Sequence, residues 1–276
     1  MKSSKNSESS ARLESRILTY HAICPSRSAY IYSATCEDFD QHMELVAARS
    51  RNENGSEQPT RVTFDDGKNT DHEFALPILE KHGVRATFFV TVGSIEHRRD
   101  FMSWQQLREI ASLGHPVQSH GWSHKLLSVI GAKELGEELE WSKKSLEDRL
   151  GLPVTALSLP GGRWTADVLR ACAKAGYQQV YHSDPWRKGS RLCDADFIGR
   201  IMVRNSMDVN RVRRLLDGDS STLFYYRLQH RFKELTKRFI GDRNYQRIWG
   251  SIATLAGQQS LSADWQRSRK RRDEVQ

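Results

Sequence analysis

Short apolar runs alternate with amphipathic helical segments along most of this sequence, and that alternation restricts the possible folds more than any other feature. The clearest run, Val84–Val92, is rich in β-branched and aromatic residues and is typical of a buried strand. About seven strand–helix pairs follow one another, which predicts a parallel α/β sheet. Right-handed crossovers would curl it into a (β/α) barrel, predicted here as incomplete and seven-stranded. The predicted strands are Arg16–His21, Val62–Phe64, Val84–Val92, Pro116–Ser119, Val154–Leu159, Tyr177–Tyr181 and Ile198–Val203.

The length and apolar content of the chain fit one large α/β domain with polar ends. We predict a polar leader over residues 1–15, the barrel over 16–218, a basic helical extension over 219–262 and a basic tail over 263–276. The leader and the tail are predicted to be disordered, because both are almost entirely polar or charged.

Basic residues concentrate in the C-terminal extension, and the whole chain carries a formal net charge of +8. An amphipathic helix over Phe224–Ile240 would suit peripheral contact with an anionic membrane, although packing on the barrel with a solvated basic rim is the simpler interpretation. The leader lacks the apolar core of a signal peptide, which predicts a cytoplasmic location, with the inner membrane face as an option. Nucleic-acid binding is not expected, because the basic tail lacks interleaved aromatic residues. The sequence leaves the oligomeric state open.

Two adjacent carboxylates, Asp65 and Asp66, end a predicted strand just before Gly67. Because adjacent like charges repel, such a pair needs either solvent or a use. A divalent ion would supply the use: one carboxylate binds the ion, and the other stays free to accept a proton from water. An Asp-Asp-Gly sequence is also common in ordinary turns, so this pair alone does not decide the function.

Two histidines, His120 and His124, are four residues apart in a segment rich in Gly, Ser and Trp. On a helix, this spacing would place both rings on one face, one turn apart. Two imidazoles and one carboxylate make an open metal site with positions left for water and substrate. A single histidine is usually only packed, but this pair, taken together with Asp65 and Asp66, favours a metal site.

These motifs resemble the polysaccharide deacetylase family, the carbohydrate-esterase group that contains chitin, chitooligosaccharide and peptidoglycan deacetylases. The resemblance rests on TFDDG (Thr63–Gly67), ATFFV (Ala86–Val90) and GHPVQSHGWSH (Gly114–His124), and it extends roughly from Ile17 to Arg204. It implies a metal-dependent hydrolase that removes an acetyl or similar small acyl group from a sugar. It also implies Asp65 as general base, with Asp66, His120 and His124 as ligands of one divalent ion, expected to be Zn²⁺.

The third motif of the family is altered in this chain, and the fourth has a candidate match. Where the family has Arg-x-Pro, with an arginine that orients the base, this chain has Ser158-Leu159-Pro160. Arg163 is predicted as a substitute for that arginine. Pro160 and Gly161 are predicted to line the cleft, although a plain tight loop is the alternative. Asp184 and Trp186 match the fourth motif, with Trp186 either walling the acyl pocket or simply packed.

The fifth motif, a Leu-x-His that protonates the leaving group, has no counterpart in the predicted strand Phe197–Val203. Leu228-Gln229-His230 matches the Leu-x-His pattern in sequence. It lies in the predicted basic helix, however, and we interpret the match as accidental. His21, at the end of the first predicted strand, is the predicted proton donor, and His182 is a second candidate.

The leading hypothesis is a cytoplasmic deacetylase acting on an N-acetylated saccharide, either a nucleotide-linked or a lipid-linked glycan, in polysaccharide or glycolipid assembly. The alternative is a catalytically weak glycan-binding protein on the same fold, suggested by the altered third and fifth motifs. The intact Asp65 argues against the alternative, because a protein that only binds needs no base. The sugar, the acyl group and the choice between an amide and an ester bond stay open.

Overall fold

A computed structural model describes residues 16–52, 60–186 and 190–229, and its centre is a nine-stranded sheet. Eight of these strands run parallel in the order β11-β1-β4-β5-β6-β7-β8-β10, and β9 lies antiparallel on β10. A separate parallel pair, β2 and β3, follows β1. The strands are β1 (Ile17–Tyr20), β2 (Ala22–Cys24), β3 (Ser33–Thr35), β4 (Arg61–Phe64), β5 (Ala86–Val90), β6 (Val117–Ser119), β7 (Ala156–Ser158), β8 (Gln179–His182), β9 (Ser190–Leu192), β10 (Ala195–Gly199) and β11 (Ile201–Met202).

Helices connect the parallel strands from β1 to β8, as the sequence pattern predicted. Ser103 begins one of them with a reciprocal cap: its Oγ accepts from Gln106 N at 3.2 Å, and Gln106 Oε1 accepts from Ser103 N at 2.8 Å. Gly151 ends another helix in the left-handed conformation, with φ of 67°. The α-helices are α1 (Cys36–Asn52), α2 (Leu76–His82), α3 (Trp104–Ser112), α4 (Ala132–Leu150), α5 (Ala166–Lys174) and α6 (Val209–Leu216); a π-helical turn, Asp71–Ala75, precedes α2.

The last two parallel strands bring the edges of the sheet together. β10 pairs with β8, β11 pairs with β1, and a single residue, Arg200, separates β10 from β11. The predicted parallel (β/α) barrel is therefore confirmed. Its strand count differs slightly from the prediction, because the predicted strand Ile198–Val203 is divided at Arg200 and because β9 adds an antiparallel neighbour.

Side chains from β5 show how the two faces of the sheet are filled, since consecutive residues on a strand point to opposite faces. Phe88 stacks on Phe64 with ring centroids 4.8 Å apart, in the main core that the helices cover. Phe89 belongs to a second buried cluster, together with side chains from three other strands of the barrel. That inner cluster comprises Ile17, Phe89, Ala156 and Tyr181.

The predicted leader and tail, and most of the predicted extension, lie outside the described residues, so those domain boundaries stay predictions. Residues 220–229 are helical, and Leu223 and Tyr226 on this helix are buried. Tyr226 is anchored to the barrel because its Oη accepts a hydrogen bond from Met202 N at 3.1 Å. Within the described ranges, none of the helices combines the length and the apolar character needed to cross a membrane.

Candidate metal and catalytic site

The carboxyl ends of β4 and β6 carry the two main motifs, and β5 lies between these two strands. After β4 the chain turns sharply, with φ of 78° at Asp66 and 85° at Gly67. A Cβ on Gly67 would come within 3.0 Å of Val90, so the turn packs too closely on β5 for a side chain there. The left-handed conformation of an aspartate is uncommon, and such strained residues concentrate at functional sites.

Asp66, His120 and His124 come together at this end of the barrel, with one potential ligand atom from each within 4.8 Å of the other two. Asp66 Oδ1 lies 3.5 Å from His120 Nε2 and 3.2 Å from His124 Nε2. This buried oxygen accepts no hydrogen bond from the described residues, which is unusual for a buried carboxylate. His120 donates from Nδ1 to the carbonyl of Ser158 at 2.8 Å, which leaves its Nε2 for a ligand. The three side chains fit a divalent ion with open positions for water and substrate.

The electrostatics of this cluster also favour a cation. Burial would lower the pKa of His120, but the nearby carboxylates of Asp65 and Asp66 outweigh it and raise the pKa above its ordinary value. Burial would raise the pKa of Asp66, yet the imidazoles of His120 and His124 hold it well below its usual range. The site therefore combines an ionised carboxylate with a negative local potential, as a metal site requires.

The two histidines do not lie on a helix, which corrects the prediction from their spacing. Residues 120–126 form a loop after β6, and His124 itself is left-handed, with φ of 60°. Gly121 is also left-handed, with φ of 77°, so a helix cannot run through the segment. The rings meet because the loop folds back, with centroids 4.9 Å apart.

Asp65 is held by an arginine that the sequence analysis did not identify. Arg200 donates from both terminal nitrogens to the two oxygens of Asp65, each at 2.7 Å, in a buried bidentate pair. Ser158 Oγ donates to Asp65 Oδ2 at 3.0 Å and accepts from Arg200 at 2.7 Å. Burial would raise the pKa of Asp65, but Arg200, followed by His120, lowers it to about 2. Asp65 is thus ionised at neutral pH, and it stands apart from the three-ligand cluster.

Arg163 was predicted to orient the base, and the structure gives that position to Arg200 instead. Among the described residues, the hydrogen bonds to the Asp65 carboxylate come from Arg200 and Ser158. Arg163 follows the turn Pro160–Gly162 and is partly exposed. The physical reason is barrel closure, which brings the β10–β11 junction beside the end of β4.

His21 lies at the carboxyl end of β1, close to the predicted site. Its ring stacks on Tyr32 with centroids 5.0 Å apart, and its buried Nδ1 has no hydrogen-bond partner among the described residues. Burial lowers the pKa of His21, although the charges of Asp66 and Asp65 act in the opposite direction. The second candidate, His182, stacks on Phe197 at 4.0 Å and accepts from Asp184 N through Nδ1 at 3.2 Å.

The remaining predicted residues lie in loops at the same end of the barrel. Asp184 Oδ1 accepts from Trp186 N at 3.1 Å, so these two residues form one turn after β8. Gly161 is left-handed, and a Cβ on it would meet Leu126 at 2.6 Å, so the Pro160–Gly162 turn packs directly on the histidine loop. No distance places these four residues against a substrate, and their binding roles stay predictions.

Two tyrosines of this rim were also missed at the level of sequence. Tyr226 packs on Trp186 with ring centroids 5.3 Å apart, and burial, together with the nearby Tyr32 and Asp184, raises its pKa to about 12. Tyr32 in turn stacks on His21. Tyr226 and Tyr32 come from segments far apart in the chain, and neither belongs to a sequence motif.

Comparison with known proteins supports the family. The polysaccharide deacetylase family model matches residues 52–180. The Bacillus subtilis protein YxkH is 28% identical over 183 residues, which cover 61% of this chain and 64% of that protein. A chitooligosaccharide deacetylase of Sinorhizobium fredii is 33% identical over 134 residues, covering 47% of this chain and 59% of that enzyme. The chain thus spans less than two thirds of the length of either relative.

Solved structures share the fold. The deacetylase PplD of Streptococcus pyogenes, determined in complex with acetate, superposes with a TM-score of 0.62 at 23% identity, covering 73% of this chain and 97% of that one. A polysaccharide deacetylase from Bacillus cereus gives a TM-score of 0.63 at 24% identity, covering 72% of this chain and 68% of that one. Residues 52–180, which carry both main motifs, match the polysaccharide deacetylase family model, and over this segment the chain is similar to members of that family.

Proposed function

We propose that this protein is a metal-dependent hydrolase that removes an acetyl group from an N-acetylated saccharide. One observation carries the proposal: an ionised carboxylate, Asp65, is held by a buried arginine beside a separate three-ligand cluster. A metal site alone would serve binding or structure, but a fixed base next to it serves hydrolysis.

The residues of the site divide the work of acyl hydrolysis between them. Asp66, His120 and His124 would hold the ion, proposed to be Zn²⁺, which when bound polarises the acyl carbonyl and lowers the pKa of water. Asp65 accepts the proton of the attacking water, and Arg200 keeps its carboxylate ionised and oriented. His21 is the proposed proton donor to the leaving amine, because it lies within electrostatic range of both aspartates.

We propose an anionic saccharide, nucleotide-linked or lipid-linked, as the substrate. Support comes from arginines in the loops that follow three barrel strands, β5, β7 and β11, at the end where the site lies: Arg99, Arg163 and Arg204. A diphosphate linkage would complement these cations, whereas a neutral chitooligosaccharide would not. The test is a mass-spectrometric screen for acetate release from acetylated nucleotide sugars, lipid-linked glycans and neutral chitooligosaccharides. Release from the neutral oligomers alone would refute the anionic substrate while leaving the deacetylase.

The alternative, a catalytically weak glycan-binding protein, was motivated by two altered motifs. The alteration of the third motif, where Ser158 replaces the family's arginine, is compensated because Arg200 binds the carboxylate of Asp65 instead. The fifth motif is still missing its histidine, because no histidine lies in β10 or β11. Glycan binding without any acyl release in the screen would favour this alternative.

We also propose a cytoplasmic location with peripheral contact to the inner membrane face. On the 220–229 helix, Phe224, Tyr225 and Leu228 are 68%, 51% and 55% exposed, on the side opposite the buried Leu223 and Tyr226. Arg211 stacks over Tyr225 at 5.1 Å, which adds charge to this apolar face. We expect the protein to co-sediment with anionic vesicles and not with zwitterionic vesicles. Equal sedimentation with both kinds of vesicle, or with neither kind, would contradict the proposal.

Replacing the proposed acid, His21→Ala, should lower kcat by about a hundredfold and leave metal binding unchanged. A donor must be protonated to act, and the pKa of His21 lies below its ordinary value of 6.5. Wild-type kcat should therefore fall as the pH rises through that lowered pKa, and the variant should lack this limb. His182→Ala is the matched control, and a larger loss there than at position 21 would transfer the role to His182.

A further inference from the structure

The loop that carries both histidines is fixed at nearly every backbone group between them. Gly121 N donates to Ser119 Oγ at 3.1 Å, and the carbonyl of Gly121 accepts from Val92 N at 3.2 Å. The carbonyl of Trp122 accepts from Gly93 N at 2.8 Å. The two remaining amides, of Trp122 and Ser123, belong to the centre of the loop, and neither bonds to another backbone group of the described residues.

Glu138, on α4, accepts hydrogen bonds from both of these amides. Its Oε2 accepts from Trp122 N and from Ser123 N, each at 2.9 Å, and its Oε1 accepts from Ser123 Oγ at 2.5 Å. Glu138 is buried, with 2% exposure, and among the described residues no ion pair joins it to a cation. Three donors therefore bind one carboxylate. An ionised carboxylate only accepts hydrogen bonds, so each of the three donors has an acceptor.

The close approach of the loop to Glu138 depends on Gly121. This residue is left-handed, and a Cβ on it would lie 3.4 Å from Glu138 Oε2. Immediately after the clamped residues, His124 is held at a φ of 60°, a conformation that a histidine adopts only when its surroundings impose it. Without the carboxylate, two buried amides would lose their partners, and the loop would relax to recover hydrogen bonds elsewhere.

We infer that Glu138 is a positioning residue for the metal site: it sets the affinity for the ion by fixing the loop between His120 and His124, without binding the ion itself. The inference rests on the metal site of the proposed function and adds a residue that belongs to none of the family motifs quoted above. Residues that orient metal ligands typically change metal affinity by ten- to a hundredfold when they are removed.

The same helix provides a matched control. Glu147 also uses its carboxylate to hold a backbone amide, accepting from Val154 N at 3.0 Å, but at the amino end of β7, away from the site. It also pairs with Lys143 at 2.9 Å. Removing Glu147 therefore breaks a carboxylate–amide hydrogen bond on the same helix while leaving the histidine loop untouched.

The experiment is calorimetric titration of metal-free protein with Zn²⁺, at a temperature where circular dichroism shows each variant folded. Wild type should bind about one ion, His120→Ala should bind none, and Glu138→Ala should bind ten- to a hundredfold more weakly. Glu138→Asp, too short to reach both amides, should also weaken binding and serves if the alanine variant does not fold. Glu138→Gln should bind within about threefold of wild type, because its oxygen can accept from both amides while its NH₂ donates to Ser123 Oγ.

Glu147→Ala should lower the melting temperature without changing the dissociation constant for Zn²⁺. Wild-type affinity in both Glu138→Ala and Glu138→Asp would overturn the inference and leave the proposed function intact. Equal weakening by Glu147→Ala would overturn it as well, because the effect would then be one of general stability. A wild-type protein that binds no ion would overturn the metal site and this inference together.

Discussion

Asp65→Asn should reduce kcat by at least about two orders of magnitude and leave KM nearly unchanged. The amide keeps the shape of the side chain but cannot accept a proton from water, and general-base catalysis is typically worth a hundredfold or more. Because the base acts mainly in the transition state, the affinity for the saccharide should change little. The measurement is steady-state acetate release with the substrate that the screen identifies, together with Zn²⁺ titration.

The ion should still bind in this variant, because Asp65 stands outside the three-ligand cluster. Asp40→Asn is a matched control: it makes the same chemical change in an ion pair with Lys81 and His82, between α1 and α2. It should keep wild-type turnover. An Asp65→Asn enzyme that hydrolyses substrate at the wild-type rate would rule out the proposed base.

The fold was predictable because local and global signals agree in this chain. β5 is apolar except for Thr87 and is flanked by helical patterns, as expected of a strand with both faces covered. The helix caps at Ser103 and Gly151 are formed by hydrogen bonds between residues at most four positions apart, so they depend on local sequence alone. Closure was harder to predict, because a two-residue strand such as β11 carries no periodicity of its own.

The cluster of Asp66, His120 and His124 was also predictable, but the shape of the loop that carries the two histidines was not. A spacing of four residues suits one helical turn, and it equally suits a loop that folds back on itself. The choice between them depends on Glu138, whose carboxylate replaces the hydrogen bonds that a helix would have supplied. The hydrogen bond from Ser123 N to Glu138 joins residues about fifteen positions apart, so no local sequence pattern predicts it.

The role of Arg200 could not be predicted from the sequence for a similar reason. Arg163 was predicted for this position because it is close in sequence to Ser158, where the family motif has its arginine. The position beside Asp65 is instead reached from the junction that closes the barrel, where β11 pairs with β1 and β1 pairs with β4. Only the register of these strands brings the two side chains together.

Arg200→Ala should lower both the stability of the fold and the turnover of the site. The arginine is 1% exposed and forms the bidentate pair with Asp65, and its guanidinium lies over the rings of Phe89 and Tyr181, at 5.4 Å and 5.6 Å from their centroids. Removing one partner of a buried ion pair typically costs about 3–5 kcal/mol in the free energy of unfolding. The pKa of Asp65, now held at about 2, should rise because burial is no longer offset. Since the base must be ionised, the acid limb of kcat/KM should move to higher pH, as a pH profile will show.

Two further variants separate orientation from charge. Arg200→Lys keeps the charge but not the planar fork, so it should restore stability more than turnover. The double variant Ser158→Arg/Arg200→Ser moves the guanidinium to the position where the family motif carries it. Because Ser158 Oγ already lies 3.0 Å from Asp65 Oδ2, an arginine there should reach the base and recover at least about tenfold of the turnover lost in Arg200→Ala. If the double variant is no more active than Arg200→Ala, while Zn²⁺ binding and folding are normal, Arg200 acts through something other than the orientation of Asp65.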